Sequence, residues 1–246
     1  GIDMAPDSSW IRINAGTYHE SEITLEGKDL TIYYGDGIPV VSAPTPGSGT
    51  GMILRGVTSG TWIFALDFEN FETAISIEDG SPEVSYCSIR GCSTGIEIDG
   101  TSGSPELSFN LIEDFTTAIS IVGGGGASIA NHTIVEGGSG LSAGAGTVLF
   151  HKNIVYRCVS GIVCSGADVV LSCNDLWENI SDYSGCAPAA GDFFEMPMFC
   201  YEAGGSPGLY YLHIDSPCWS ANNSCGVNVG AFTSTHGCTG VSVDEA

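Results

Sequence analysis

Two acidic residues in the first half of the chain have a spacing that suits a shared metal ion. Glu78 and Asp99 lie 21 residues apart, and each follows the same Ile-x-Ile pattern. If these segments stack as neighbouring strands, the carboxylates lie about 5 Å apart and repel each other unless a proton or a cation joins them. Oxygen ligands from turns suit Ca²⁺. We therefore expect a Ca²⁺ site at Glu78 and Asp99, with two separately solvated carboxylates as the alternative.

The remaining polar residues give little support to catalysis. Arg90 falls in register with Glu69 and Glu113, one repeat to either side. We therefore expect its guanidinium to form ion pairs with these two carboxylates. The chain has no nucleophile elbow, and the glycine-rich segment 123–126 lacks the Lys of a phosphate-binding loop. The sequence predicts no catalytic residue and no cofactor other than Ca²⁺. The tryptophans are expected to cap or line the core: Trp10, Trp62, Trp177 and Trp219.

The charge of the chain excludes several classes of partner. It has 29 acidic residues against six basic ones, for a net charge of −23. Such a surface repels nucleic acid and anionic membranes. No apolar run approaches the length of about 18 residues that a membrane-spanning helix needs, so we expect no membrane insertion.

The cysteine content indicates an oxidising compartment. Ten cysteines occur in 246 residues, and none forms the Cys-x-x-Cys pair typical of zinc sites. The chain begins at Gly1 without a signal peptide, so we expect a mature or trimmed exported protein. The expected location is secreted, extracellular or on the cell surface.

An internal repeat of about 22 residues determines the predicted fold. The segment 81–86, SPEVSY, returns 23 residues later as SPELSF. Four columns of apolar residues follow the same period. They are Phe68, Ile89, Ile112, Ile134, Ile154, Leu176; Ile75, Ile96, Ile119, Leu141, Ile162; Ile63, Val84, Leu107, Ile129, Leu149, Leu171; and Ile77, Ile98, Ile121, Ala143, Cys164.

Within each repeat, apolar and polar residues alternate over three to five positions, which is typical of short strands. Gly, Ser, Asp and Asn separate these segments, and helical periodicity is absent. Short strands at this period predict an all-β parallel β-helix with one repeat per coil. We expect seven or eight coils from about Ile11 to about Ser184. The β-helix is assigned to residues 1–185, and an irregular, disulfide-stapled capping tail of the same domain to residues 186–246.

The sequence resembles the right-handed parallel β-helix proteins of the pectate-lyase-like superfamily. The opening segment Ile11–Glu20 is similar to the first coil of many members. The segments 174–179, 182–185, 197–199, 216–218 and 226–232 resemble the closing region of large secreted bacterial members, which are mostly uncharacterised. The resemblance implies a right-handed solenoid. It leaves the activity open, because this scaffold carries lyases, hydrolases, esterases, adhesins and structural proteins.

The repeat also predicts disulfides. Cys164 and Cys186 are separated by one repeat, and residues in one column of stacked coils lie within disulfide reach. The alternative is a Cys186–Cys200 bond across one tail loop. A Cys218–Cys225 bond is expected to close another loop.

These features favour a secreted or cell-surface, non-catalytic structural protein, self-assembling or adhesive. The expected partner is a second copy, docked end to end, because an uncapped solenoid end exposes strand edges and apolar columns. The alternative is a polysaccharide-active enzyme, a lyase or a hydrolase, or a carbohydrate-binding module with polysaccharide as partner. A groove lined with carboxylates and aromatic residues would favour this alternative.

Overall fold

A computed structural model describes residues 2–200 and 210–232. Parallel strands wind around a common interior on three faces, and eight coils stack. One face is an eight-stranded sheet, and the other two are joined by two long strands into a fourteen-stranded sheet. This confirms the predicted all-β parallel β-helix and its repeat of about 22 residues. The repeat predicts the boundary between solenoid and tail at residues 185 and 186. In the structure, the last solenoid strand ends at Ser184.

The strands of the three faces alternate along the chain. Face 1 contains Ser9–Ile13, Leu30–Tyr34, Trp62–Phe64, Glu83–Ser85, Glu106–Ser108, Gly126–Ala130, Thr147–His151 and Asp168–Ser172. Face 2 contains Gly16–His19, Pro39–Ser42, Asp67–Glu69, the first parts of Ser88–Ile98 and Leu111–Ile121, and then Thr133–Val135, Ile154–Tyr156 and Asp175–Trp177. Face 3 contains Ile23–Glu26, Thr50–Val57, Thr73–Gly80, the second parts of the two long strands, and then Ser139–Ala143, Ser160–Cys164 and Ser181–Ser184.

The apolar columns fill the interior, and two of the four are as predicted. In the other two, one residue per column is wrong. Phe150 pairs with Ile129 and is buried, whereas Leu149 points outward and is 44% exposed. Val155 similarly takes the place expected for Ile154. A shift of one residue turns a side chain to the opposite face of a strand, and these coils differ slightly in length, so a fixed period missed the register.

A column of polar residues occupies the inner corner between faces 1 and 2. The amides of Asn110, Asn153 and Asn174 each accept a hydrogen bond from a backbone N–H one coil earlier, at 2.8–3.0 Å. Each amide also donates to a backbone carbonyl, at 3.0–3.1 Å. These bonds satisfy backbone groups at the bend, where strand pairing stops. A fixed step of 22 residues back from Asn174 leads to Lys152, but the neighbouring Asn153 lies in this column.

The C-terminal tail covers face 2 in the later coils. Its short antiparallel strands, Phe199–Cys200 and Tyr211–Leu212, pack over outward-facing apolar residues and form a second hydrophobic cluster. Gly230 adopts a φ of 91°, and a Cβ added there would lie 2.5 Å from Cδ1 of Ile154, so the tail comes this close only with glycine. None of the described helical segments is long and apolar enough to cross a membrane.

Disulfides fix the tail to the last coils. The predicted Cys164–Cys186 bond is confirmed, with 5.6 Å between Cα atoms. The predicted Cys218–Cys225 bond is wrong, because Cys225 pairs with Cys173 of coil eight. Cys218 is a buried free thiol whose Sγ donates to Oδ2 of Asp175 at 3.2 Å. The alternative Cys186–Cys200 bond is also wrong, and Cys200 is disulfide-bonded elsewhere. A tail loop can return to any coil, so sequence proximity did not identify the partner of Cys225.

The N-terminal end of the solenoid is only partly closed. A three-residue 3₁₀ turn, Ile2–Met4, lies over the first coil, and Nζ of Lys28 holds it by donating to the carbonyls of Ile2 and Ala5 at 3.2 and 3.3 Å. A cavity of about 660 Å³ remains beside it, lined by interior residues such as Ile13 and Ile32.

Candidate functional site: an exposed aromatic strip

Seven aromatic side chains line the outer surface of the first five coils, along face 1 and its corner with face 2. We call this set the aromatic strip: Trp10, Tyr33, Tyr34, Trp62, Phe64, Tyr86 and Phe109. Neighbouring rings have centroid distances of 4.7–6.0 Å. Five coils at about 4.8 Å per step make the strip about 19 Å long.

The strip faces solvent. Trp10 is 70% exposed, Tyr86 51% and Tyr34 39%, while the other four rings are half-buried against their neighbours. Single exposed apolar residues are ordinary on protein surfaces, whereas a contiguous apolar patch marks an interaction site. The aromatic strip is such a patch.

Local backbone geometry aims two of the rings outward. Tyr86 and Phe109 occupy equivalent corner positions with φ of 58° and 55°, between the strands of faces 1 and 2. Ala65 takes the same conformation one coil earlier, and Asn131 one coil later. The two rings stack with an interplanar angle of 11° and a centroid distance of 4.9 Å. The solenoid pitch thus sets the spacing of the rings.

Hydrogen bonds hold one ring of the strip in place. Nε1 of Trp62 donates to Oγ of Ser85 at 2.6 Å, and Ser85 donates to Oε1 of Glu83 at 3.1 Å. Ser85 is fully buried, and its strand pairs in register with that of Trp62. A ring fixed in this way binds a ligand at a smaller cost in side-chain entropy.

Planar rings on a flat surface suit a ligand with flat, weakly apolar faces. The face of an aromatic ring carries negative charge, and the C–H groups on one side of a sugar ring carry partial positive charge, so the two stack. The rings of the strip meet at interplanar angles from 11° to 80°, so they offer both faces and edges to a chain of such units. Sequence reasoning placed Trp10 and Trp62 in or over the core, and this is wrong, because both lie on the strip. Tyr86 and Phe109 directly follow the two copies of the SPE-x-S motif, and this repeated aromatic position is the sequence signal of the strip that sequence reasoning missed.

A cluster of charges lies on face 2 around Arg90, as the sequence predicted. Nε of Arg90 is 3.0 Å from Oε1 of Glu113, and its Nη1 is 3.9 Å from Oε1 of Glu69. Burial raises the pKa of the adjacent Asp67 to about 6, against the opposing attraction of Arg90. The guanidinium pairs with both carboxylates and offsets part of their negative charge, which is the structural role expected of Arg90.

Glu78 and Asp99, the candidate Ca²⁺ ligands, follow directly after the paired residues Ile77 and Ile98. Glu78 accepts a hydrogen bond from Nε of Arg55 at 2.7 Å, while Asp99 is exposed. Burial, followed by the charges of Asp99 and Glu78, raises the pKa of the neighbouring Glu97. Within residues 2–200 and 210–232, no three His, Cys, Asp or Glu side chains come together to hold a metal ion. Ca²⁺ binding by Glu78 and Asp99 stays a prediction.

Two buried titratable groups belong to the structure of the later coils. His132 replaces an Asn in the polar corner column, and neither of its ring nitrogens has a hydrogen-bond partner. Burial lowers its pKa to about 4, and backbone groups of Leu107 and Asn110 oppose the shift without reaching hydrogen-bond geometry. Burial raises the pKa of Asp175, which lies beneath the tail, to about 7.

Comparison with protein families agrees with this architecture. The model of the right-handed β-helix region matches residues 51–189, more than half of the chain. The chain belongs to the right-handed β-helix family. The match confirms the predicted handedness and covers coils three to eight, including the strip from Trp62 to Phe109. A comparison with the curated proteins returned no match.

Proposed function

We propose that this β-helix protein is an extracellular, non-catalytic glycan-binding protein that holds a polysaccharide along the aromatic strip. The observation that supports this proposal is the set of seven exposed or half-exposed rings over five consecutive coils, in which Trp10 contacts Tyr33 and the other five rings form a second contacting group. Its disulfides are consistent with an oxidising environment outside the cell. Adhesion to a glycan surface follows from such binding.

Charge and shape favour a neutral chain over a polyuronate. Glu83 and Glu106 pair in register on face 1, so two carboxylates stand beside the strip on adjacent coils. With a net charge of −23, the protein repels a polymer that carries an acid on every sugar. Sugar hydroxyls, in contrast, can hydrogen-bond to such carboxylates. A neutral polysaccharide is therefore the proposed ligand class.

The test is affinity electrophoresis of the whole protein against linear β-glucan, xylan, mannan and polygalacturonate. We expect retardation by at least one neutral polymer. Tyr86→Ala should weaken that binding about tenfold, since one stacked ring contributes about 1–3 kcal/mol in comparable stacking sites. Ala65 already holds the equivalent corner conformation one coil earlier, so the fold should tolerate this change.

Phe194→Ala is the matched control. Phe194 is also an exposed aromatic residue, 42% accessible, but its ring contacts Tyr183 at the other end of the molecule. This variant should bind as the unmodified protein does. The proposal fails if no polymer retards the protein, or if the Tyr86 and Phe194 variants lose affinity equally.

A second proposal is end-to-end self-association through the first coil. The cavity of about 660 Å³ beside Ile13 and Ile32 supports it, because a neighbouring copy would cover these apolar side chains. Self-repulsion at −23 opposes association at low salt, so the particle mass from light scattering should rise with salt. An Ile13→Glu variant should stay monomeric. A monomer at every salt and protein concentration would contradict this proposal.

A further inference from the structure

The six basic residues of the chain differ in whether their charge is neutralised. Arg55, Arg90 and Arg157 each form ion pairs with glutamates. Lys28 donates to backbone carbonyls. Arg12 and Lys152 form no ion pair with any carboxylate in the described part of the chain. In so acidic a protein, a cation without a counter-ion is an unusual feature.

Lys152 lines a pocket of about 350 Å³ at the end of the aromatic strip. Phe109, the last ring of the strip, forms part of the same pocket together with Asn131. Across the pocket stand tail residues Ser220 and 226–228. The strip therefore ends at a shallow, largely open recess that contains a lysine.

Hydrogen bonds hold the wall of this recess in place. Nδ2 of Asn131 donates to the carbonyl of Asn228 at 2.9 Å, and the N–H of Gly230 donates to the carbonyl of Lys152 at 2.9 Å. The side chain of Asn228 in turn accepts from the N–H of Ser220 at 2.9 Å. The tail thus crosses the corner at coils six and seven, and a ligand that follows the strip meets this wall.

The positive charge of Lys152 acts on its surroundings. Burial is the main cause of the lowered pKa of the adjacent His151, and the charge of Lys152 is the second. Lys152 itself is half-buried, so bulk water screens it less than a fully exposed lysine.

We propose that this pocket binds an acidic group at the end of the glycan chain, a carboxylate, sulfate or phosphate, while the neutral sugars of the same chain stack on the aromatic strip. The proposal rests on the glycan-binding function above. A lysine in a recess forms strong charge-assisted hydrogen bonds with such an anion. Glu83 and Glu106 lie on coils four and five and repel an anion there, whereas Lys152 on coil seven, past the last ring of the strip, attracts it.

The experiment uses an oligosaccharide cut from the neutral polysaccharide that binds best, prepared in three forms. One has its reducing end reduced to an alditol, one has that end oxidised to an aldonic acid, and one carries a uronic acid at its non-reducing end. Isothermal titration calorimetry at physiological ionic strength compares their affinities for the whole protein. We expect one of the two acidic forms to bind at least tenfold more tightly than the alditol.

The Lys152→Gln variant should reduce this difference to less than threefold. Arg157→Gln is the matched control, because it also removes one positive charge, from a residue paired with Glu178 outside the pocket lining, and it should keep the tenfold difference. Thermal melting of both variants verifies that they fold.

The outcomes separate the two proposals. Equal affinity for all three forms, lost in Tyr86→Ala, would overturn the acidic-end subsite and leave glycan binding intact. A tenfold preference that survives in Lys152→Gln would also overturn the subsite. If none of the three forms binds, both proposals fail.

Discussion

The outer surfaces of the early and late coils both carry rows of large apolar side chains, but these rows differ in what covers them. On face 2 of the later coils, outward-facing residues such as Leu111 and Ile154 are fully buried beneath the tail. On face 1 of the early coils, Trp10 and Tyr86 remain more than half exposed. Similar outward rows therefore stabilise the fold where the chain covers them and remain exposed to solvent where it does not.

The early and late coils also differ in the residues that occupy the inner corner between faces 1 and 2. The inner corner between faces 1 and 2 holds apolar Leu66 and Cys87 in coils three and four. From coil five onward it holds Asn110, Asn153 and Asn174, whose amides hydrogen-bond to the backbone, and His132, whose ring nitrogens have no hydrogen-bond partner among the described residues. The early corner, which lies wholly within the described residues, holds no titratable imidazole and no amide side chain, while the later corner is sensitive to protonation and to changes of hydrogen-bonding group.

The largest expected effect is that of releasing the tail from the late coils. Changing Cys173 and Cys225 to serine removes a disulfide that closes a sequence separation of 52 residues. We expect the free energy of unfolding to fall by about 4 kcal/mol, as measured in urea under non-reducing conditions. Glycan binding should persist, since the strip from Trp10 to Phe109 lies on other coils. Equal loss of binding and stability would contradict the separation of the two regions.

Single substitutions in the two outward rows should affect different properties, namely stability in the covered row and glycan binding in the exposed row. Ile154→Ala removes a fully buried side chain beneath the tail and should cost about 2–5 kcal/mol of unfolding free energy. Tyr86→Ala removes an exposed ring and should change stability by less than about 0.5 kcal/mol while weakening glycan binding. Urea denaturation and affinity electrophoresis on both variants test this. A large stability loss for Tyr86→Ala would show that the strip is part of the core.

Acid should act on the late corner through His132. Its pKa is about 4 in the folded protein, below the ordinary 6.5, so the unfolded chain binds the proton first as the pH falls. Stability is therefore lost between about pH 6.5 and pH 4, with a total of about 3 kcal/mol. His132→Asn, which copies the residue of the neighbouring coils, should remove this loss.

The measurement compares the two proteins at each pH by urea denaturation. Asp67 and Asp175 have raised pKa values of about 6 and about 7, so they favour the folded state as the pH falls and oppose the effect of His132. The difference between variant and unmodified protein isolates His132, because both proteins keep the two carboxyl groups. A difference that stays constant from pH 7 to pH 4 would contradict the prediction.

The smallest expected effect concerns Ca²⁺ at Glu78 and Asp99 in the early coils. A bound ion competes there with Arg55, which already pairs with Glu78, so we expect weak binding. At a free Ca²⁺ concentration equal to Kd the gain in stability is about 0.4 kcal/mol. EDTA should lower the melting temperature slightly, and Asp99→Asn should abolish this effect while keeping the Arg55–Glu78 pair. If EDTA leaves the melting curve of the unmodified protein unchanged, the prediction of a Ca²⁺ site is wrong.

The sequence by itself determined what depends on periodicity. Alternation and the repeat near 22 residues predicted the strands, the parallel stacking and the number of coils. The same register correctly placed the Cys164–Cys186 bond and Arg90 between its two glutamates. These features were accessible because residues one repeat apart become neighbours in a solenoid, so sequence distance translates directly into contact.

Only the tertiary structure decided what the repeat does not encode. The partner of Cys225 and the cover over Ile154 depend on the path of an irregular tail that returns to several coils. Phe150 and Val155, rather than Leu149 and Ile154, point inward because the coils differ in length by one residue. Such a difference reverses the orientation of a side chain. The strip became visible only once corner residues such as Tyr86 were seen to point outward with a positive φ. Periodicity sets which residues are neighbours, but local backbone geometry and the path of the tail set which of them face solvent.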